Sequence, residues 1–148
     1  MISTKGRYAL RLMIDIAAYG ANGVVSLKDI SKRQDISVKY LEQVVSLLTR
    51  SRLLLSVRGN NGGYRLSRDA KNYTVGEILL AAEGTLAPVA CLQCGEVRCD
   101  RENMCSTIDF WKGFNNVIMD YVNNITLEDL AIKEKERIGN DYSIWGGK

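Results

Sequence analysis

Apolar positions keep step with a helical turn along the first stretch of the chain. In STKGRYALRLMIDIAAYG, Ala9, Leu12, Met13, Ile16 and Ala17 recur at intervals of three and four, the spacing that lines one face of a helix. Gly20 and Gly23 end that helix. SLKDISKRQ predicts the next, with Ser26 as N-cap and Asp29 three residues on in a capping-box-like start. DIS is a tight connection, and Ser37 caps a third helix over SVKYLEQVVSLLTRS. Two short helices across such a turn form a helix-turn-helix pattern. On the third helix Leu41, Val44, Val45 and Leu48 share one side, while Lys39, Glu42, Gln43 and Ser46 share the other.

The period then changes. In LLLSVRGNNGGYRLSRD, Leu53, Leu55 and Val57 are expected to point inward from one strand, and Tyr64 and Leu66 from another. GNNGG between them tolerates positive φ, so the segment predicts a β-hairpin with Arg58, Arg65 and Arg68 around its tip. A nucleotide-binding loop is disfavoured, since the P-loop lysine pattern and a βαβ setting are both missing. TVGEILLAAEG predicts a short helix from Val75 to Glu83. CSTIDFWKGFNNVIMDYVNNI predicts a longer one from about Cys105 to Asn124, with Ile108, Trp111, Phe114, Ile118, Tyr121, Val122 and Ile125 at helical spacing. That helix carries more apolar surface than so small a domain needs to cover. Pairing with a second copy is expected, through Trp111, Phe114, Ile118 and Tyr121. The tail KEKERIGNDYSIWGGK is polar and charged and is expected to be mobile.

The fold class expected is therefore mainly α with a small β-hairpin wing. A winged helix-turn-helix domain covers residues 1–84, a cysteine-rich loop 85–105, a dimerisation helix and following segment 106–131, and a polar C-terminal tail 132–148.

Charge sharpens the picture. Residues 1–75 hold thirteen Lys and Arg against five Asp and Glu, a balance of +8, whereas residues 76–148 have a balance of −5. A basic half carrying a helix-turn-helix suits a polyanion. The second helix of such a motif enters the DNA major groove. There Gln43 can bond adenine in a bidentate way and Glu42 can accept from the cytosine amine. The wing can lay arginine on phosphates or into a narrow minor groove.

The candidate chemistry lies in ACLQCGEVRCDRENMCS, where Cys91, Cys94, Cys99 and Cys105 are the only cysteines of a chain with no histidine. No apolar run is long enough to span a membrane, and the N-terminus has no signal-peptide pattern, so a cytoplasmic protein is expected. In that reducing compartment a cysteine cluster points to metal binding or redox chemistry, not to a disulfide framework. A thioredoxin-like enzyme is disfavoured, because no βαβ pattern surrounds the C-x-x-C of Cys91 and Cys94.

Taken together, STKGRYALRLMIDIA, LKDISKRQDIS, YLEQVVSLL, SVRGNNGGY, VGEIL and NNITLEDL resemble the IscR-type winged helix-turn-helix transcriptional regulators, the family of IscR, NsrR and CymR. The resemblance runs from about residue 1 to residue 131. It implies a homodimeric regulator, a repressor and not an enzyme, on pseudo-palindromic double-stranded operator DNA. It places DNA contacts at Lys39, Glu42 and Gln43 in the recognition helix and at Arg58 in the wing, to which Tyr40 and Arg65 are added. Lys39 stands where the family pattern has serine, which leaves the base preference open.

Cluster-binding members of the family carry three cysteines between the wing and the dimer helix. Cys99 and Cys105 match the second and third, while the place of the first is Gln93, flanked by Cys91 and Cys94. The family's two kinds of fourth ligand, a histidine or a partner's aspartate, are replaced here by Ile108 and Arg7. The simplest account makes Cys91, Cys94, Cys99 and Cys105 all ligands of an iron–sulfur cluster, in the two-iron or four-iron form. Zinc is disfavoured by the short spacing between Cys94 and Cys99. The alternative is a cluster-free regulator of cysteine or sulfur metabolism, or a thiol-redox-sensing repressor, controlled by a metabolic-enzyme partner or by cysteine oxidation.

Overall fold

The structure, a computed structural model, describes residues 1–20, 23–93 and 99–145, with side chains through residue 139. Three helices come first: α1 (Thr4–Tyr19), α2 (Leu27–Gln34) and α3 (Val38–Arg50). Each starts where a serine side chain accepts a backbone N–H of the first turn, from Ser3, Ser26 and Ser37 in turn. Ser26 also donates its hydroxyl to Asp29 Oδ2 at 2.8 Å, a side-chain contact in place of the backbone bond that completes a capping box. Asp35 closes α2 in the left-handed region, at φ 52°, a conformation that aspartate tolerates better than most residues.

The wing follows as β1 (Leu54–Val57) and β2 (Gly63–Leu66), paired antiparallel from Leu54↔Leu66 to Val57↔Gly63. Gly59 in the tip has φ +114°, a conformation that L side chains rarely adopt. Val25 joins the sheet through two bonds of 2.9 Å with Tyr64. The inward alternation differs from the expected one. Leu55 is 38% exposed, and Leu54 is fully buried. The chain turns through a left-handed Arg52, and the Leu53 N–H is tied to the Leu48 carbonyl at 2.9 Å. Leu53 thus enters the core ahead of the strand, and within it Leu54 is buried, Leu55 and Ser56 are exposed and Val57 is half-buried. Arg68 also leaves its expected place at the tip. It donates to both oxygens of Glu77, at 2.8 and 2.9 Å, and lies over the ring of Tyr73.

Tyr73 is fully buried. Its hydroxyl donates to the Leu53 carbonyl at 2.9 Å and accepts the N–H groups of Ser67 and Arg68. One phenol therefore pins both ends of the hairpin to the helix that follows. That helix is α4 (Val75–Glu83), opened by a Thr74–Glu77 capping box and closed at Gly84. Single turns at Ala90–Leu92 and Glu102–Met104 lead to α5 (Ile108–Asn123), and α6 (Leu127–Trp145) ends the described chain.

The tail is helical where mobility was expected, and the boundary read at residue 131 falls inside α6. Leu127, Leu130 and Ala131 recur at helical spacing. Leu127 and Ala131 are buried, and α6 packs on α1. A reciprocal capping box opens the helix, with Thr126 N–H bonding Asp129 Oδ2 at 2.9 Å and Asp129 N–H bonding Thr126 Oγ1 at 3.1 Å, and the contact with α1 holds its first turns. Leu127 also belongs to the main core with Leu12, Met13, Leu41, Leu48 and Ile78. The winged domain is thus completed by residues far beyond its expected end at residue 84. A smaller cluster of Val75, Leu79 and Leu86 receives Met119, Val122 and Ile125 from the α5 side.

Two carboxylates organise α1. Asp15, fully buried, accepts from Arg33 Nε at 3.0 Å, Arg33 Nη2 at 2.6 Å and Gln34 Nε2 at 3.0 Å. Glu83 reaches from α4 to the other end, where its Oε1 accepts from Ser3 N–H, Ser3 Oγ and Gly6 N–H at 2.8–2.9 Å. A Cβ on Gly6 would stand 2.4 Å from that oxygen, so only glycine admits the carboxylate so close. Burial works to raise the Glu83 pKa. The hydrogen bonds from Ser3 and Gly6 and the charge of Lys5 outweigh it and hold the carboxyl below its ordinary value.

A group whose pKa is lowered by folding adds stability above its unfolded pKa and loses it as pH falls through the folded value. Glu83→Gln should therefore lower the urea midpoint at pH 7. The gap to the parent should close as pH falls below about 4.3, the ordinary glutamate pKa. A gap independent of pH would contradict this role.

Candidate nucleic-acid interface and cysteine segment

α3 is sided as its sequence predicts. Leu41, Val44, Val45 and Leu48 are buried, while Lys39, Glu42, Gln43 and Ser46 are all exposed. The exposed set starts in the helix's first turn, beside the turn that links it to α2. Tyr40 differs from its neighbours. It is half-buried, and its ring meets Tyr8 of α1 edge-on at 5.2 Å, so its aromatic body braces α3 against the scaffold. On the wing Arg58 and Arg65 are exposed. Arg65 stands opposite Leu55 in the register, on the outward face.

The cysteines lie between α4 and α5. Cys91 sits half-buried in the turn Ala90–Leu92, Cys99 is exposed, and Cys105 is half-buried just before α5. All three are free thiols. Cys94 and Arg98 lie outside the described residues. Cys105 Sγ is 3.5 Å from Thr107 Oγ1. The hydroxyl and backbone of Thr107 hold its thiol below the ordinary cysteine value. Among the described residues no three His, Cys, Asp or Glu side chains lie close enough together to hold a metal ion. The donor chemistry still fits an iron–sulfur cluster, because thiolate is its usual protein ligand. Ile108 and Arg7 offer no replacement for a fourth ligand.

α5 has no fully buried residue. Of the four expected pairing residues, Phe114 and Tyr121 are 46% and 69% exposed, whereas Trp111 and Ile118 are half-buried. Ile118 lines a groove of about 400 Å³ with Met1, Ile2, Leu79, Leu86 and Phe114. The outward row also holds Phe110 at 64% and Val117 at 66% exposure, two residues that the sequence reading left out. Phe110, Phe114, Val117 and Tyr121 follow intervals of four, three and four, the seam spacing of paired helices. That spacing was the available signal. Within the row Phe110 stacks nearly parallel to Phe114 at 6.2 Å.

A helix-turn-helix with an outward polar face, followed at once by a glycine-tipped hairpin bearing exposed arginines, defines a winged-helix DNA-binding transcriptional regulator. The chain belongs to the Rrf2 family, described as iron-dependent transcriptional regulators, whose profile matches residues 2–133. It is 40% identical over 130 residues to the HTH-type transcriptional regulator IscR of Yersinia pseudotuberculosis, covering 88% of this chain and 78% of that one. Among solved structures it is similar to CymR, the global cysteine regulator of B. subtilis, at 38% identity and a TM-score of 0.76, covering 90% of this chain and 97% of that one. It is likewise similar to IscR of T. potens, at 34% identity and a TM-score of 0.74, covering 93% and 90%. These relatives are regulators and not enzymes, as the sequence reading expects. Among the described residues no helix is long and apolar enough to cross a membrane.

Proposed function

We propose that the protein is a homodimeric repressor that reads pseudo-palindromic operator DNA and answers to an iron–sulfur cluster held by Cys91, Cys94, Cys99 and Cys105. The observation that carries the DNA reading is the exposed row of Lys39, Glu42 and Gln43 on α3, beside a wing with Arg58 and Arg65 exposed. In the major groove Gln43 pairs with the adenine edge and Glu42 accepts from cytosine, while Lys39 reaches a guanine or a phosphate. Arg58 and Arg65 supply phosphate contacts that set the register of the protein on the duplex without reading its sequence. Two half-sites require two copies. The exposed aromatic row of α5 is the surface suited to join them, since apolar patches of this kind mark interaction sites.

The cluster would be held by thiolates alone, and it would supply a group whose presence depends on iron, sulfide and oxidants. Within this chain, Thr107 assists by favouring the thiolate of Cys105. A second reading has its own support. The similar B. subtilis protein is a global cysteine regulator, and Cys99 presents an exposed thiol to oxidants. In this reading a cluster-free repressor is controlled by cysteine oxidation or by a metabolic-enzyme partner.

Gln43→Ala should cost about 1–3 kcal/mol on the specific site and relax base preference there. Arg58→Ala should weaken binding to all sequences and flatten its salt dependence, because one fewer counterion is released. Gel-shift titrations at several salt concentrations read both effects, and parent-like binding by both variants would displace the DNA face from α3 and the wing.

Val117→Asp or Phe114→Asp should yield monomers with weak operator affinity, whereas the parent should scatter light as a dimer. A monomeric parent would remove α5 as the pairing surface.

Protein purified without air should be brown, with iron and acid-labile sulfide in equal amounts. Serine at Cys99 or Cys105 should abolish the colour, and serine at Cys91 or Cys94 tests whether all four are ligands. A colourless, iron-free parent whose operator affinity changes on thiol oxidation would establish the second reading instead.

A further inference from the structure

The buried end of α2 is tied to α1 by more than Asp15. Gln34, 8% exposed, is the last residue of α2, and its Nε2 donates to Asp15 Oδ2 at 3.0 Å. Its side-chain oxygen accepts from Arg11 Nε at 3.1 Å, and its backbone carbonyl accepts from Arg11 Nη2. A carbonyl at a helix C-terminus lacks an intrahelical partner, and a cation is favoured there by the helix dipole. The same guanidinium lies over the ring of Tyr8, 5.5 Å from its centroid, and Tyr8 meets Tyr40 edge-on. Tyr40 is in the first turn of α3, where its N–H bonds the Ser37 cap at 3.3 Å. Both ends of the connecting turn are therefore referred to one side chain on α1. The residues between them are few, with Asp35 left-handed and Ile36 buried.

We propose that Arg11, acting through Gln34 and Tyr8, is a positioning residue for operator recognition. It fixes the pitch of α3 against α1, so that Lys39, Glu42 and Gln43 meet base edges in register. The fork of arginine is required, because its Nε and Nη2 bond the Gln34 side chain and carbonyl from two separate atoms while its carbon stays over the Tyr8 ring, a span that a single ammonium lacks. Base-edge hydrogen bonds demand this register. Phosphate contacts tolerate a small change of pitch, since they act largely through charge. The proposal rests on the reading of α3 as the recognition helix, and the parent's own sequence preference tests that reading separately.

The parent protein is first used to select a duplex from a randomised library. Parent and Arg11→Lys are then titrated, by fluorescence anisotropy over a range of salt, against that duplex and a scrambled one of equal length. Arg11→Lys should lose about tenfold or more in affinity for the selected duplex, the scale of one good base contact. Its affinity for the scrambled duplex, its salt slope and its thermal midpoint should stay near those of the parent. Tyr8→Phe, which keeps the ring, should behave like the parent, and Tyr8→Leu like Arg11→Lys. This second pair carries the same comparison if Arg11→Lys unfolds. Equal losses on both duplexes with a flatter salt slope would make Arg11 a phosphate contact and overturn the proposal. So would parent-like preference in both Arg11→Lys and Tyr8→Leu. A parent that prefers no duplex would overturn the reading of α3 and this proposal with it.

Discussion

The helix-turn-helix depends on one buried carboxylate. Asp15 lies on the inward face of α1 with no exposure to solvent, where an unpaired charge would cost several kcal/mol. Its partners are Arg33 and Gln34, adjacent residues at the end of α2. Satisfying the charge therefore sets where α2 ends, and hence where the turn into α3 begins. Arg33 reaches the carboxylate from the exposed side, so the pair adds little net stability, but removing either partner leaves a buried charge with fewer hydrogen bonds. What the arrangement provides is orientation. Apolar faces alone could slide along one another, whereas three hydrogen bonds to one carboxylate cannot.

The same helix carries the rest of the molecule. α1 packs on α2 and α3 at the front and on α4 and α6 behind. At its N-terminus Glu83 accepts three hydrogen bonds and places a negative charge where the helix dipole favours one. At the opposite side Tyr73 joins the wing to α4, and its backbone carbonyl accepts the N–H of Leu127 at 3.0 Å. The DNA-facing elements and the C-terminal helix thus share one core, and a movement of α4 or α6 reaches the recognition helix through α1.

This bears on how the cysteine segment could act. It is strung between the end of α4 at Gly84 and the start of α5 at Ile108. Both helices are packed together around Val75, Leu79 and Val122. A group that ties Cys91 to Cys105 would link a residue seven positions past Gly84 to one three positions before Ile108, shortening the connection between the two helices. Coupling of about 1–3 kcal/mol between such states is typical of allosteric switches.

Much of this was written locally in the chain. The serine caps, the α3 faces, the glycine-tipped hairpin and the span of α4 depend on neighbours within a few residues, and the sequence alone determined them. The four-three-four row on α5 was equally legible, yet Phe110 and Val117 were passed over because a list of large side chains at helical spacing does not say which side is already covered. That needed Leu79, Leu86 and Val122 in place. The inward set of β1 depended on where Leu53 is tied, a contact with Leu48 across a turn. The start of α6 was legible in the Thr126–Asp129 cap, but which of its residues are buried depended on α1, more than a hundred residues earlier. The links from Arg11 to Gln34, from Glu83 to Gly6 and from Arg68 to Glu77 join separate elements, and hydrophobic periodicity carries no information about them. Local propensity and patterning are properties of a short window of sequence, whereas which polar groups meet in the interior is decided only when the helices pack.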